Sequence, residues 1–558
     1  MMCAAMIDRR QFLGWTAAAS AALGCSGGRA PAPVVSRRPP PPVPRPDAVP
    51  DAWIEELTVA DLQKMMGAGE QSARSITEAY LRRIDALDRR GPELRAVIEV
   101  NPDAAALADA LDAERKQGKL RGPLHGIPIL IKDNIDTADK MATTAGSLAL
   151  VGAKPGQDAG VVARLRAAGA ILLGKTNLSE WANFRSTRSL SGWSARGGQC
   201  RNPYALDRSA CGSSSGSGAA VAANLCAVAV GSETDGSILC PSAFCNLVGL
   251  KPTIGMVSRA GIIPIAHSQD TAGPMARTVA DAALLYAALV GPDPRDPTTK
   301  GAKPFDPAAA LAGEVKGLRL GIVRSMFGYH PELDHRCEEA LAALKARGAV
   351  LVDPVAMSDK ELMEPELEVL LYEFKAGLDG YLAGLGPSAP VKSLAEVIDF
   401  NDSHAAEEMP LFGQEIFLKA VAKGPLTDRA YKQALAKCQR LSRAGGIDQV
   451  MKRHKLDALV APTANPPWVV DPVLGDHFVG GSTTMAAVAG YPAMSVPVGF
   501  ARGVPMGMSL FGRSASEAVL FRLAMALEQA APQRQRPAFR PTAEVGAPDC
   551  GAGCASKK

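Results

Sequence analysis

Aromatic residues make up only 5% of the 558 positions, and the seven histidines are scattered along the chain. A nucleic-acid-binding surface needs a basic excess and stacking side chains, but 61 basic residues against 57 acidic ones leave a formal charge of +4. No nucleic-acid partner is therefore expected. The eleven cysteines form no C-x-x-C pair and accompany no histidine cluster, so neither a metal site nor a cofactor is expected. No internal repeat is visible. With 47% hydrophobic and 21% charged residues, the chain can bury a core the size of one large domain or two ordinary ones.

What the chain does hold is concentrated in three runs. Gly126-Ile127-Pro128-Ile129-Leu130-Ile131-Lys132-Asp133-Asn134 sets a lysine at the end of an apolar, strand-like segment, where burial would favour its neutral form. Cys211-Gly212-Ser213-Ser214-Ser215-Gly216-Ser217-Gly218 leads directly into the small-residue helix pattern of residues 219–223, and so reads as a helix start rather than a flexible linker. Ser232-Glu233-Thr234-Asp235-Gly236-Ser237 follows. Serine is a weak nucleophile until a base takes its proton, and a neutral lysine can be that base. The spacing Gly212-x-Ser214-x-Gly216 also fits a nucleophile elbow, which would make Ser214 the nucleophile and would require a histidine. Short serine-rich runs produce that match by chance, whereas three separated runs in order do not.

Together the runs resemble the amidase signature family of Ser-Ser-Lys hydrolases, over about Leu57 to Arg540. The resemblance implies Ser237 as nucleophile, Ser213 as the bridging serine after a cis Gly212–Ser213 bond, and Lys132 as base. It also implies an oxyanion hole built from the backbone N–H groups of Thr234, Asp235, Gly236 and Ser237. The fold implied is α/β: a single large domain over residues 51–540, with a central mixed β-sheet surrounded by helices. A helix-rich section from Asp359 to Gly445 would cap it and shape the substrate channel. Asp270, in the run Ser268 to Arg277, would support the site without carrying protons, and His125 would be structural. Segments around Tyr372-Glu373-Phe374-Lys375 and Gly413-Gln414-Glu415 resemble the peptide-amidase branch. With Trp181-Ala182-Asn183-Phe184 they suggest a channel for amidated peptides or amino acids. Trp181, Asn183, Phe184, Glu373 and Gln414 are its candidate contacts, although packing of the cap against the core would use the same residues.

Local patterns add detail. Leu57 to Asp88 reads as helical, and Ala227 to Gly231 and Leu318 to Val323 read as strands. Residues 1–25 carry a twin-arginine pattern, Asp8-Arg9-Arg10-Gln11-Phe12-Leu13-Gly14, and an apolar stretch from Trp15 to Gly24. That stretch is shorter than the ~20 residues a membrane span needs, so the reading is an export signal. Ala22-Leu23-Gly24-Cys25 is a candidate lipoprotein site with Cys25 as the lipid anchor; a soluble periplasmic enzyme is the alternative. The proline-rich residues 26–50 read as a linker and 541–558 as a tail. In an exported chain some cysteines can pair. Cys200 with Cys211 and Cys550 with Cys554 are the first pairs to test, with Cys226, Cys240 and Cys245 expected as small buried hydrophobes. The function expected is an exported carboxamide hydrolase acting on a small-molecule or peptide amide. The alternatives are the amidase component of a tRNA-dependent amidotransferase and a non-catalytic binding lipoprotein; substrate and oligomeric state stay open.

Overall fold

In the computed structural model, residues 49–386 and 389–544 are described. The twin-arginine segment, Cys25, Cys550 and Cys554 lie outside them. Eleven strands form one mixed sheet, in the spatial order Val97–Val100, Ile171–Thr176, Pro128–Lys132, Val228–Glu233, Thr271–Ala276, Val248–Lys251, Ala493–Ala501, Val504–Phe511, Ala458–Pro462, Arg319–Ile322 and Val350–Val352. Pro128–Lys132 runs parallel to both its neighbours, whereas Thr271–Ala276 runs antiparallel on both sides. Every residue of Pro128–Lys132 and Val228–Glu233 is buried, as expected of central strands covered by helices on both faces.

The helix Ser215–Ala222 is also buried along its whole length. A Cβ on its Gly216 would lie 2.3 Å from the Ala96 carbonyl and 2.5 Å from the Asn177 carbonyl. Only glycine lets this helix approach the adjoining backbone so closely. The expected helix from Leu57 to Asp88 divides in two. Gly69, at φ +73°, closes Val59–Ala68, and Ser72 starts Ala73–Arg83 with a capping box.

The cap is helical, as read: Met363–Gly384, Leu394–Ser403, Glu415–Val421 and Arg429–Gln439. Its apolar face meets residues 145–184 of the core in a separate buried cluster. A fully buried ion triad lies at the same junction. There Arg185 Nη1 stands 2.6 Å from Glu180 Oε1 and 3.5 Å from Glu408 Oε2. Residues 541–544, read as the start of a tail, bind the body instead: Thr542 donates to Asp207 at 2.6 Å and the Glu544 N–H to the Arg502 carbonyl at 2.8 Å.

Candidate active site

Lys132 is the last residue of its strand, at the carboxyl end where α/β sheets open to ligands. Its side chain is fully buried. Nζ lies 2.7 Å from Ser213 Oγ, 3.0 Å from Ser232 Oγ and 3.1 Å from the Ser232 carbonyl. Burial pulls the ammonium down to about 7, against the opposing charges of Glu233 and Asp270. A neutral amine has two N–H donors and one lone pair. In that form, donation to the two Ser232 oxygens would leave the lone pair facing the Ser213 hydroxyl. Asn134 Nδ2 donates to Ser232 Oγ at 2.9 Å and so holds this acceptor in place.

Ser213 follows a cis peptide bond after Gly212, as the family resemblance implies. Its carbonyl accepts the Ser179 N–H at 3.1 Å. The neighbouring Ser214 hydroxyl is engaged twice, donating to the Ser232 carbonyl at 3.1 Å and accepting the Ser232 N–H at 3.2 Å. These bonds pin the loop to Val228–Glu233 and leave Ser214 no role resembling that of an elbow nucleophile. The Ser214 N–H donates to the Ser237 carbonyl at 3.1 Å, joining the two serine turns. Ser213 and Ser214 are 0% exposed and Ser237 is 7% exposed, so of these three serines only Ser237 keeps some open surface.

The turn bearing Ser237 is anchored on both sides. The Asp235 carboxylate accepts the hydroxyls of Thr483 and Thr484 at 2.5 and 2.7 Å. Thr234 Oγ1 donates to Asp270 Oδ1 at 2.6 Å, and Asp270 Oδ2 accepts the N–H groups of Ile265 and Ala266, each at 2.9 Å. Burial raises the Asp270 carboxyl to about 6, partly offset by these bonds. Glu233 Oε2 accepts the N–H groups of Ile238 and Leu239 at 2.7 and 3.0 Å, which fixes the start of the next helix. Gly236 turns the backbone at φ +78°, and a Cβ there would lie 3.1 Å from Thr483 Oγ1.

Beside this turn is a cavity of about 320 Å³ whose lining includes Asn134, Ser232, Thr234, Asp270 and Arg259 as well as Ile263 and Ile265, but not Lys132, Ser213 or Ser237. None of the five expected substrate contacts lines it. Trp181 packs edge-on to Phe417 at 5.7 Å, and Phe184 edge-on to Phe374 at 5.0 Å. Glu373 accepts the Ser268 N–H at 2.9 Å and the Tyr431 hydroxyl at 2.8 Å. Gln414 donates to Asp402 and to the Ile398 carbonyl and accepts from Asn401. In these contacts Trp181, Phe184 and Glu373 join the cap to the core and Gln414 bonds within the cap, the packing use that the same side chains also allow. Asn183 is nearly buried beside the cavity-lining Ala182. Its Oδ1 has no hydrogen-bond partner among the described residues.

Ser232 and Asn134 hold the lysine, yet residue type alone assigns them no role, although both stand inside the two runs that bear Lys132 and Ser237. Their signal is adjacency to those residues. Thr483 and Thr484, 248 and 249 positions from Asp235, carry no signal. His125 is buried, its Nε2 2.9 Å from the Leu111 carbonyl, in keeping with a structural role. The expected Cys200–Cys211 pair is replaced by Cys211–Cys240, with Cys200, Cys226 and Cys245 free and buried. Folding brings Cys240 to Cys211, a proximity that spacing along the chain does not reveal.

The amidase family model matches residues 75–521. The peptide amidase of Stenotrophomonas maltophilia is 51% identical, with a TM-score of 0.83 over 87% of this chain and 99% of that one. The "Probable amidase" of Arabidopsis thaliana is 42% identical over 500 residues, 87% of this chain and 92% of that one. A glutamyl-tRNA(Gln) amidotransferase component from Chloroflexus aurantiacus is more distant, 37% identical over 85% of this chain and 97% of that one. A strand-end lysine against a serine, on a fold shared with the peptide amidase, accords with that match: the chain belongs to the amidase family and is an amide hydrolase.

Proposed function

We propose that the protein is an exported amidase that removes ammonia from the terminal carboxamide of peptides or amino acids, with Ser237, Ser213 and Lys132 as its proton relay. Ser237 Oγ attacks the carboxamide carbon while its proton passes to Ser213 Oγ and the Ser213 proton passes to Lys132 Nζ. Backbone N–H groups of Thr234 to Ser237 hold the oxyanion. As the C–N bond breaks, the relay runs backwards and the departing nitrogen takes the proton, leaving as ammonia. Water then attacks the acyl-Ser237 ester through the same relay and releases the carboxylic acid. The observation that carries the reading is the 2.7 Å contact between a fully buried Lys132 Nζ and Ser213 Oγ, with the two Ser232 oxygens at 3.0 and 3.1 Å from the same nitrogen.

The likeness to peptide amidase supports the substrate class. The cavity beside the Ser237 turn, lined by polar and charged groups together with Ile263 and Ile265, has room for a carboxamide and the residue that bears it. The twin-arginine segment supports export, and so does a disulfide, which persists in oxidising compartments. The test is ammonia release by the purified single chain from C-terminally amidated dipeptides, acetamide, benzamide and long-chain fatty amides. Amidated dipeptides should give the highest kcat/KM. Much faster cleavage of fatty or aromatic amides would overturn the peptide reading, and no release from any amide would return the amidotransferase or non-catalytic readings. N-terminal sequencing of the mature protein should find Met1 to Gly24 removed; an intact N-terminus on cytoplasmic protein would refute export. Incorporation of labelled palmitate at Cys25 would identify a lipid anchor.

A further inference from the structure

The disulfide among the described residues joins Cys211 to Cys240, while five other described cysteines are free and buried. Its ends lie two residues before Ser213 and three after Ser237. A single covalent bond, spanning a sequence separation of 29, therefore encloses both hydroxyls of the proposed relay, which sit on different turns. Each end lies in the same short stretch of backbone as its serine. The Cys240 N–H donates to the Gly236 carbonyl at 2.8 Å, so the first turn of Leu239–Phe244 connects the half-cystine to the Ser237 turn. On the other side, Cys211 adopts φ +58°, a left-handed conformation that non-glycine residues hold only when their surroundings enforce it. A Cβ on the intervening Gly212 would lie 2.1 Å from Ser179 Oγ, so this stretch of backbone is set tightly against its neighbour.

Hydrogen bonds also link the turns: the Ser214 hydroxyl pairs with the Ser232 backbone at the start of the Ser237 run. The Ser214 N–H to Ser237 carbonyl bond joins them directly, and such a bond is a modest restraint. The disulfide is 2% and 5% exposed at its two ends, in a cluster with Phe244, Trp468 and Phe478. Phe244 and Trp468 meet edge-on at 4.9 Å. That aromatic cover makes the bond part of a fixed wall rather than an exposed staple.

We infer that the Cys211–Cys240 disulfide is a positioning element for catalysis: it fixes the separation of Ser213 and Ser237, so that full amide turnover requires the oxidised protein. This rests on the proposed roles of those serines. Reduction moves two electrons and two protons from a dithiol to the two sulfurs, and the dithiol becomes its own disulfide; glutathione disulfide reverses the change. Small misplacements of reacting groups cost about 100-fold in rate, which sets the scale of the effect.

The experiment compares wild type, C240A and C211A/C240A at a temperature where near-UV circular dichroism finds all three folded. Both variants should lose at least tenfold in kcat, with KM within twofold of wild type and fluorophosphonate acylation slowed in parallel. A dithiol should bring wild type to the same level and glutathione disulfide should restore it, while C211A/C240A responds to neither. Wild-type kcat in the folded double variant, or a loss that only tracks the unfolded fraction, would overturn the inference. If the variants do not fold, wild type is titrated with dithiol: activity lost before the near-UV signal supports positioning, and coincident loss overturns it. Ser237→Ala in the oxidised protein serves as the control. Full activity there would defeat the nucleophile assignment, whereas an inactive Ser237→Ala beside a fully active C211A/C240A would defeat this inference alone.

Discussion

The strand-end turns and the cap meet across one junction but handle their polar and aromatic groups in opposite ways. At the strand ends, Lys132, Ser213 and Ser232 are buried with their hydrogen-bonding atoms directed at one another. In the cap and the segment facing it, Trp181, Phe184, Glu373 and Gln414 are buried too, but each is spent on packing or on bonds that hold the cap. Burial therefore does not identify a working residue. In the proposed relay the difference lies in what each group is left to do: a neutral Lys132 would still have a proton to receive, whereas the polar ends of Gln414 and Glu373 are occupied by neighbours.

The comparison predicts opposite mutational signatures. Ser237→Ala should reduce kcat by about 10⁴-fold or more with an unchanged melting temperature, and Lys132→Ala should be nearly as damaging to kcat. A Ser237→Ala protein with appreciable amide turnover would erase the distinction at its catalytic end. At the cap, Phe184→Ala should cost about 3–5 kcal/mol of stability through the cavity it leaves. The turnover of the remaining folded molecules should stay within a few-fold of wild type. A large fall in kcat/KM for amidated dipeptides without loss of stability would make Phe184 a substrate contact after all.

A smaller effect sharpens the electrostatics. Glu233 and Asp270 favour the charged form of Lys132, and the proposed relay requires the neutral form, so kcat/KM should rise with pH through about 7 and then level. Glu233→Gln keeps an oxygen for the Ile238 and Leu239 N–H groups but removes the negative charge. The acid limb should therefore move to lower pH, by up to about one unit. An upward shift would contradict the assignment of that limb to an amine. Substituting His125 or His267 should leave the limb in place.

The placement of the runs was legible in the sequence: Lys132 closes a strand, the serine run opens a helix, and the structure brings Lys132 to Ser213, while their proposed roles came from the family resemblance. The sheet was legible as a class, and Val228–Glu233 and Arg319–Ile322 fell close to where the apolar runs placed them. Less legible was whatever depends on distant segments meeting. Nothing local to Asp235 pointed to Thr483 and Thr484, and nothing in the spacing of eleven cysteines selected Cys240 for Cys211. Gly69 and Ser72, which divide the first helical stretch, were readable as a stop and a start but lay within a longer apolar periodicity. Aromatic cap residues were ambiguous in principle, since a channel wall and a packed junction call for the same side chains.

The central claim is that a neutral Lys132 draws a proton from Ser237 through Ser213, and the rate of fluorophosphonate labelling against pH, with peptide mapping of the modified serine, tests it most directly. The account predicts label on Ser237, a labelling rate that rises through an apparent pKa of about 7, and loss of fast labelling in Lys132→Ala and Ser213→Ala. Label on Ser214, or a pH limb that survives in Lys132→Ala and disappears on substitution of a histidine, would contradict it.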